Sequence, residues 1–458
     1  MKYDYDIITI GLGPAGMAVA IMGSEMGLKV LAIEKYKLGG ECMNCGCIPS
    51  KALINIANSR NISNKFKELK LEKKTPPKVK NIFDKINKDI EYIDKKKNKN
   101  MLNKVKIIFG KAEFVDKHVI KVKNKKYSSK YIFIATGTKP SIPPIPGLSK
   151  VKFHTNETIF QIKKIPHSLM IIGGGAIGCE LAQAFNKLGT KVTIAHIDNH
   201  LLANGDKEIG EILEKQFKKE GINVFNKARI SEINEKKKEI ITTINDKKVR
   251  TETILIAAGR RFDLKDLKLE NAKIKYSKRG IKVNKYLQTN SRNIFAVGDC
   301  NGQFLLSHAA MHQGMIGLIN SISPFKLNFK KYLVPWTVFT TPEVSSVGTI
   351  PEKSLITTTK YEDYGAAIAE NIPEGFIKIS TTKRGRILGA IVVGHNSGEL
   401  INELGLAIQN KIPIWKIMFL QHSFPSMSFL VKRVSEEWMM TKIKKFRKII
   451  RLIFKLKF

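Results

Sequence analysis

Three of the chain's five cysteines fall within six positions, in the run Gly39-Gly40-Glu41-Cys42-Met43-Asn44-Cys45-Gly46-Cys47-Ile48-Pro49-Ser50-Lys51. Cys42 and Cys47 bracket four residues, and on the first turns of a helix that spacing can bring two sulfurs within bonding distance. A helix N-terminus also lowers a thiol's pKa and makes the thiolate that exchange chemistry requires. Cys45 leaves a second chemistry open, zinc held by three thiolates. Such a site usually needs a fourth ligand, and no His or second Cys pair stands at suitable spacing. No metal site is expected. Clustering also argues against a dispersed extracellular disulfide framework, and Cys179 and Cys300 read as packing residues.

These thiols need elements to hold them. Two segments repeat one design, an apolar strand, a glycine-rich turn and a small-residue helix. The first is Ile7 to Ile10 into Gly11-Leu12-Gly13-Pro14-Ala15-Gly16, and the second Leu169 to Ile172 into Gly173-Gly174-Gly175-Ala176-Ile177-Gly178. In each, the first glycine permits the turn, the second lets backbone N–H groups approach a pyrophosphate, and the third lets helix and strand pack closely. The helix N-terminus adds its positive dipole end. Glu34 ends the second strand of the first unit, where an acid accepts from an adenosine ribose. In the second unit that end carries His196, with His200 beyond it and no carboxylate to repel a 2′-phosphate. NADPH is therefore placed just ahead of NADH, although no Arg is placed to clamp it.

Ser59 to Lys106 is rich in Lys and Asn, with helical spacing at Ile82, Phe83, Ile86, Ile90 and Ile93, and reads as helices. Strand-like runs follow at Val105 to Phe109 and Tyr131 to Ala135. Pro140 to Pro146 is the candidate crossover into the second nucleotide unit. The strand Ile294 to Val297 ends in Gly298-Asp299, and a helix follows from His308.

A chain of 458 residues, 43% hydrophobic, predicts two to four domains. No apolar run is long enough to span a membrane, and the acidic start lacks a secretory pattern. A cytoplasmic location is expected. The formal charge of +39 would suit a polyanionic partner, but its lysines are spread through nearly every segment, so a solvated surface is the reading and no nucleic-acid partner is expected.

The cysteine motif, both glycine-rich turns, Ala135-Thr136-Gly137 and Ala296-Val297-Gly298-Asp299 together resemble the class I pyridine nucleotide-disulfide oxidoreductases over essentially the whole chain. That family includes dihydrolipoyl dehydrogenase, glutathione reductase and mercuric reductase. The resemblance implies an α/β fold, with two Rossmann-like domains for FAD and NAD(P) and a C-terminal α+β dimerisation domain. The expected boundaries are 1–145 with 265–330 for FAD, 146–264 for NAD(P), 331–440 for the interface, and 441–458 for a basic tail. It implies FAD, NADPH or NADH, and a homodimer. By matching positions, Cys47 would be the thiol next to the flavin and Cys42 the one that meets the acceptor. Lys51 and Glu180 match an ion pair near the flavin. Gly11, Gly13, Gly16, Glu34, Lys51, Ala112, Thr136, Gly137 and Asp299 would hold FAD. Gly173, Gly175, Gly178, His196 and Gly259 would hold NAD(P), with Gly259-Arg260 closing the nicotinamide domain.

One segment departs from the family. In thiol-substrate members a His-Pro-Thr-x-x-Glu segment of the partner subunit brings a His–Glu acid-base pair to the dithiol. Here the segment is His422-Ser423-Phe424-Pro425-Ser426-Met427-Ser428-Phe429, so Phe424 occupies the place of the base and Phe429 that of its Glu. It is more similar to the mercuric-reductase-like branch, without that branch's C-terminal cysteine pair. A metal ion or quinone is the acceptor that fits. A dihydrolipoyl dehydrogenase-type reductase with an atypical base, such as His422, and a redox-sensing subunit with little turnover stay open. Thr441 to Phe458 has eight basic residues and no acids, with Ile443, Phe446, Ile450, Ile453 and Phe454 at helical spacing. It reads as an amphipathic helix on the inner face of an anionic membrane, a helix packed on the dimer, or a frayed tail.

Overall fold

The computed structural model describes residues 2–66, 70–72, 76–237 and 239–457. The chain divides into two compact units, Met1–Lys331 and Tyr332–Phe458.

The first unit is built on two parallel sheets. In one, β1 (Tyr5–Ile10) lies between β2 (Val30–Glu34) and the long strand β4 (Lys125–Ile134), with β3 (Lys106–Phe109) beside β2. The register pairs Ile7 with both Val30 and Tyr131. A late strand, Ile294–Ala296, joins the free side of β4, so the chain leaves this layer and returns to it. The near-continuous apolar runs of β1 and β2 follow from burial on both faces, and Ile7, Ile8 and Leu31 are fully buried. Strand order reverses across β1, the point where a parallel sheet opens a ligand crevice at its carboxyl end.

The second sheet repeats the plan. Its strand β5 (Ser168–Ile172) lies between β6 (Lys191–Ala195) and β7 (Thr253–Ile256), parallel to both. The helices α1 (Pro14–Glu25) and Ala176–Lys187 start directly after the two glycine turns, and neither start has a side-chain cap. Their first amides are thus left for a ligand. Ile82–Ile93 is a helix with Ile82, Phe83, Ile86 and Ile90 buried. Parts of Ser59 to Lys106 lie outside the described residues.

The second unit has a five-stranded antiparallel sheet in the order Trp336–Val338, Glu343–Gly348, Ile387–Gly394, Phe376–Thr381, Leu355–Lys360. Helix Ser397–Gln409 packs on it through Leu400, Ile401 and Leu404. The long helix Phe429–Lys457 begins in the same core, with Leu430, Val431 and Val434 fully buried and Trp438 Nε1 donating to Thr381 Oγ1 at 3.0 Å. From Met440 on its apolar residues are exposed, Ile449 by 54% and Ile453 by 59%. Among the described residues, no helix is long and apolar enough to cross a membrane.

Candidate active site

The cysteine run does not form the single helix that its spacing suggests. Cys42 belongs to a short helix, α2 (Gly40–Asn44), and Cys47 is the first residue of a second, α3 (Cys47–Asn61). The break falls at Cys45–Gly46. A Cβ on Gly46 would stand 3.0 Å from Glu41 O and 3.2 Å from Cys42 Cα, so the chain folds back on itself there and a side chain would crowd it. Asn44 Nδ2 staples α2 by donating to Leu38 O and Gly40 O, each at 2.8 Å. The loop is docked on the first glycine turn. Gly39 N–H donates to Leu12 O at 2.9 Å, and a Cβ on Gly40 would lie 2.7 Å from Gly13 Cα.

All five cysteines are free thiols. A hydrogen bond between Cys42 and Cys47 raises the Cys42 thiol and lowers that of Cys47. Burial opposes the second effect, while the Ser307 hydroxyl and the Lys51 cation support it. Cys47 is therefore the thiol that carries charge, as its place at a helix N-terminus favours. Ser307 Oγ lies 3.1 Å from Cys47 Sγ. One turn along α3, Lys51 Nζ donates to Glu180 Oε2 at 2.7 Å, and the Glu180 side chain is 7% exposed. Cys45 is pushed up to about 12 by burial and by Glu41 and Glu157, which makes it a poor nucleophile. Cys179 and Cys300 are fully buried, as packing residues are. Among the described residues no cluster could hold a metal ion.

A polar clamp that the sequence reading missed ties this loop to its surroundings. Arg260 Nη1 donates to Glu41 Oε1 at 2.6 Å and Nη2 to Glu41 Oε2, while Nε donates to Thr138 Oγ1 at 3.0 Å. Asn156 Nδ2 reaches Glu41 Oε1 at 2.6 Å and Cys45 O at 3.2 Å. Thr138 in turn donates to Asp299 Oδ2 at 3.3 Å. Burial pushes Asp299 up to about 6, against the pull of Arg260. Arg260 was visible in sequence only as the residue after Gly259; Glu41 and Asn156 carried no signal.

The residues at the first glycine turn suit a dinucleotide. A Cβ on Gly16 would fall 1.8 Å from Gly11 O, so helix and strand approach as a pyrophosphate site requires. Thr136 Oγ1 is buried with no hydrogen-bond partner among the described residues, and Asp299 offers a carboxylate hydrogen bonded to nearby Thr138. Glu34 is 6% exposed, and its two oxygens accept from Leu12 N and Tyr36 N at 2.7 Å each. Ala112 begins the strand Ala112–Phe114 and is 5% exposed. Gly137 has φ +65° and open space around it.

The second turn has the same form, with a Cβ on Gly178 falling 2.0 Å from Gly173 O and none of Gly175 or Gly259 crowded. His196 lies at the second glycine turn. Its Nδ1 accepts from Gly174 N–H at 3.1 Å and its Nε2 faces His200 O at 3.0 Å. The ring thus braces the glycine turn, as Glu34 braces the first, and both nitrogens are engaged. A carboxylate is also present after all, since Asp198 Oδ2 lies 3.4 Å from His196 Nε2 and its side chain is 55% exposed.

In the second unit Phe424 and Phe429 meet edge to face, ring centroids 5.3 Å apart, with Tyr364 stacked on Phe429 at 6.0 Å. Phe424 is 73% exposed. His422 is turned away into its own pair, Nε2 to Glu403 Oε1 at 3.0 Å, with its side chain 5% exposed.

Residues 5–314 match the family described as pyridine nucleotide-disulphide oxidoreductase, and residues 334–434 match its dimerisation domain. The chain is similar to the dihydrolipoyl dehydrogenase of Chlamydia pneumoniae, at 32% identity over 93% of this chain and 95% of that protein. It is also similar to the mercuric reductase of Staphylococcus aureus, at 28% over 89% and 77%. Among solved structures, the Cu(II) complex of the HOCl-induced flavoprotein disulfide reductase RclA from Escherichia coli is similar, with a TM-score of 0.86 at 26% identity, covering 95% of this chain and 99% of that one.

Proposed function

The chain belongs to the pyridine nucleotide-disulphide oxidoreductases, enzymes that use FAD and NAD(P)H, and we propose that within this family Cys47 and Cys42 pass electrons to a thiophilic metal ion. Bound FAD would take hydride from the nicotinamide and supply two electrons. The remaining work falls to residues of the chain. Gly11, Gly13, Gly16, Glu34, Ala112, Thr136, Gly137 and Asp299 would hold FAD, and Gly173, Gly175, Gly178 and Gly259 the nicotinamide cofactor. Lys51, fixed by Glu180, would face the flavin. Cys47 keeps the negative charge, and Cys42 keeps a proton until it meets the acceptor.

The observation that carries the metal reading is the Phe424–Phe429 contact, aromatic at both positions where thiol-substrate relatives place a His–Glu pair. A disulfide or lipoyl acceptor must gain protons as it gains electrons, and neither ring can move one. A metal ion needs none. The Cys47 thiolate and Cys42 thiol close to a disulfide, the Cys42 proton leaves to solvent, and either one Hg(II) becomes Hg(0) or two Cu(II) become Cu(I). The similarity to a protein solved with Cu(II) points the same way.

A second reading, a quinone acceptor at a membrane, is favoured by the end of the long helix. There Lys444, Arg447, Lys448, Arg451 and Lys455 lie opposite the exposed face of Ile443, Phe446, Ile449 and Ile453, a form suited to an anionic lipid surface at the inner face of a membrane. Phe458 lies outside the described residues. For the nicotinamide, Asp198 and the engagement of both His196 nitrogens favour NADH over NADPH, because a 2′-phosphate would meet a carboxylate.

Stopped-flow mixing tests the proposal. The enzyme is reduced with NADH or NADPH, then offered Hg(II), Cu(II), a quinone, lipoamide and glutathione disulfide. Fast reoxidation by a metal ion is expected, with Cys42→Ser losing it while flavin bleaching by NADH persists. Undiminished metal turnover in Cys42→Ser would sink the dithiol role, and fast turnover with lipoamide would replace the metal by a dithiol.

A further inference from the structure

Ser307 opens the helix Ser307–Ile322, and nothing in its sequence neighbourhood marks it. Its hydroxyl lies 3.1 Å from Cys47 Sγ. Its placement is rigid. Gln313 Oε1 accepts from Gly298 N–H at 2.8 Å and from Asn301 Nδ2 at 2.6 Å, which pins the helix to the Gly298–Asp299 turn. A Cβ on Gly314 would fall 2.4 Å from Ala15 O, so the helix lies hard against α1.

Two helices therefore start at one sulfur, α3 with Cys47 as its first residue and this one with Ser307 as its first. Each presents the positive end of its dipole. The serine adds the one strong donor that can point at sulfur itself, since a hydroxyl carries a single proton to give. Lys51 supplies charge from one turn further along α3, where its own hydrogen bond goes to Glu180.

We infer that Ser307 is a catalytic residue of the dithiol half-reaction, donating its hydroxyl proton as a hydrogen bond to Cys47 when the disulfide opens and so deciding which sulfur holds the charge. The step balances. The S–S bond takes two electrons from NAD(P)H by way of FAD and one proton, giving a Cys47 thiolate and a Cys42 thiol. On the return, both electrons leave to the acceptor, the S–S bond re-forms and the Cys42 proton is released. Ser307 keeps its own proton throughout. The inference rests on Cys42 and Cys47 as the relay and is independent of which acceptor they serve.

The test compares the parent with Ser307→Ala and Ser307→Thr. Cys47 alkylation by iodoacetamide is followed against pH by peptide mass spectrometry, a readout that does not need FAD. The long-wavelength thiolate-to-flavin band of the reduced enzyme is titrated in parallel. A hydrogen bond to a charged group is worth enough to move the Ala variant's midpoint up by about one pH unit, roughly a tenfold loss of thiolate at acid pH. The Thr variant, which keeps the hydroxyl, is expected to retain the parent midpoint. A parent midpoint in Ser307→Ala overturns the inference while leaving the relay intact. A parent that shows neither a low-pH Cys47 thiolate nor the band removes the relay and the inference together.

Discussion

At the scale of single residues, the site separates like from like by environment. Three cysteines lie within six positions, yet Cys47 is lowered, Cys42 raised, and Cys45 pushed to about 12. The difference comes from one thiol donating to another, from a helix N-terminus and from the acids around Cys45, not from residue type. Asp299 shows the opposite pressure. Its pKa is raised by burial from the ordinary 3.8 to about 6, so the folded state binds a proton more tightly than the unfolded chain. Stability of the flavin-stripped protein should therefore be highest below about pH 4 on this account and fall as pH rises through 6. Asp299→Asn should remove that slope and stabilise the stripped protein by about 3 kcal/mol at neutral pH. Thermal unfolding against pH checks it, and an unchanged slope would mean that Asp299 is solvated.

At the scale of elements, the proposed acceptor preference rests on the segment His422 to Phe429. Phe424 and Phe429 pack ring to ring where an acid-base pair would hydrogen bond, and His422 is committed to Glu403. The double variant Phe424→His with Phe429→Glu restores the two groups on the same backbone. Lipoamide turnover should then rise about a hundredfold or more, in line with the usual size of positioned acid-base catalysis. Steady-state rates with lipoamide and with Hg(II) in the same preparation read this out. No gain with lipoamide, in a variant that still bleaches with NADH, would place the acceptor preference elsewhere. The same scale explains the broken cysteine helix, since a continuous helix could not fold Gly46 back against Glu41 and Cys42.

At the scale of the whole molecule, the question is whether the +39 charge acts as a diffuse field or through one patch. Residues 334–434 match a dimerisation domain, which supports a homodimer, and the long helix runs on past that match to Lys457. A homodimer would present two such ends, so weak membrane contacts at each would add by avidity. Deleting residues 441–458 removes eight cations and leaves most of the positive charge in place. If the helix end is the contact, binding to phosphatidylserine vesicles should drop at least tenfold, with about 1 kcal/mol of attraction lost per removed cation that reached the surface. Undiminished vesicle binding would assign the attraction to the diffuse lysine surface.

The sequence by itself determined the two glycine turns, the strands that feed them, the amphipathic pattern at Ile82–Ile93 and the replacement of the acid-base pair by Phe424 and Phe429. Each of these is local, because turn geometry and side-chain periodicity are set within a few residues and leave a mark in residue type. Only the tertiary structure decided that Ser307 meets Cys47 across 260 positions and that Arg260 holds Glu41 across 219. It also turned His196 inward onto Gly174 and brought Asp198 beside it. A serine, a glutamate and a histidine are ordinary surface residues until packing brings their partners within hydrogen-bond distance, and that packing is fixed by where the strands and helices dock, which no spacing along the chain encodes.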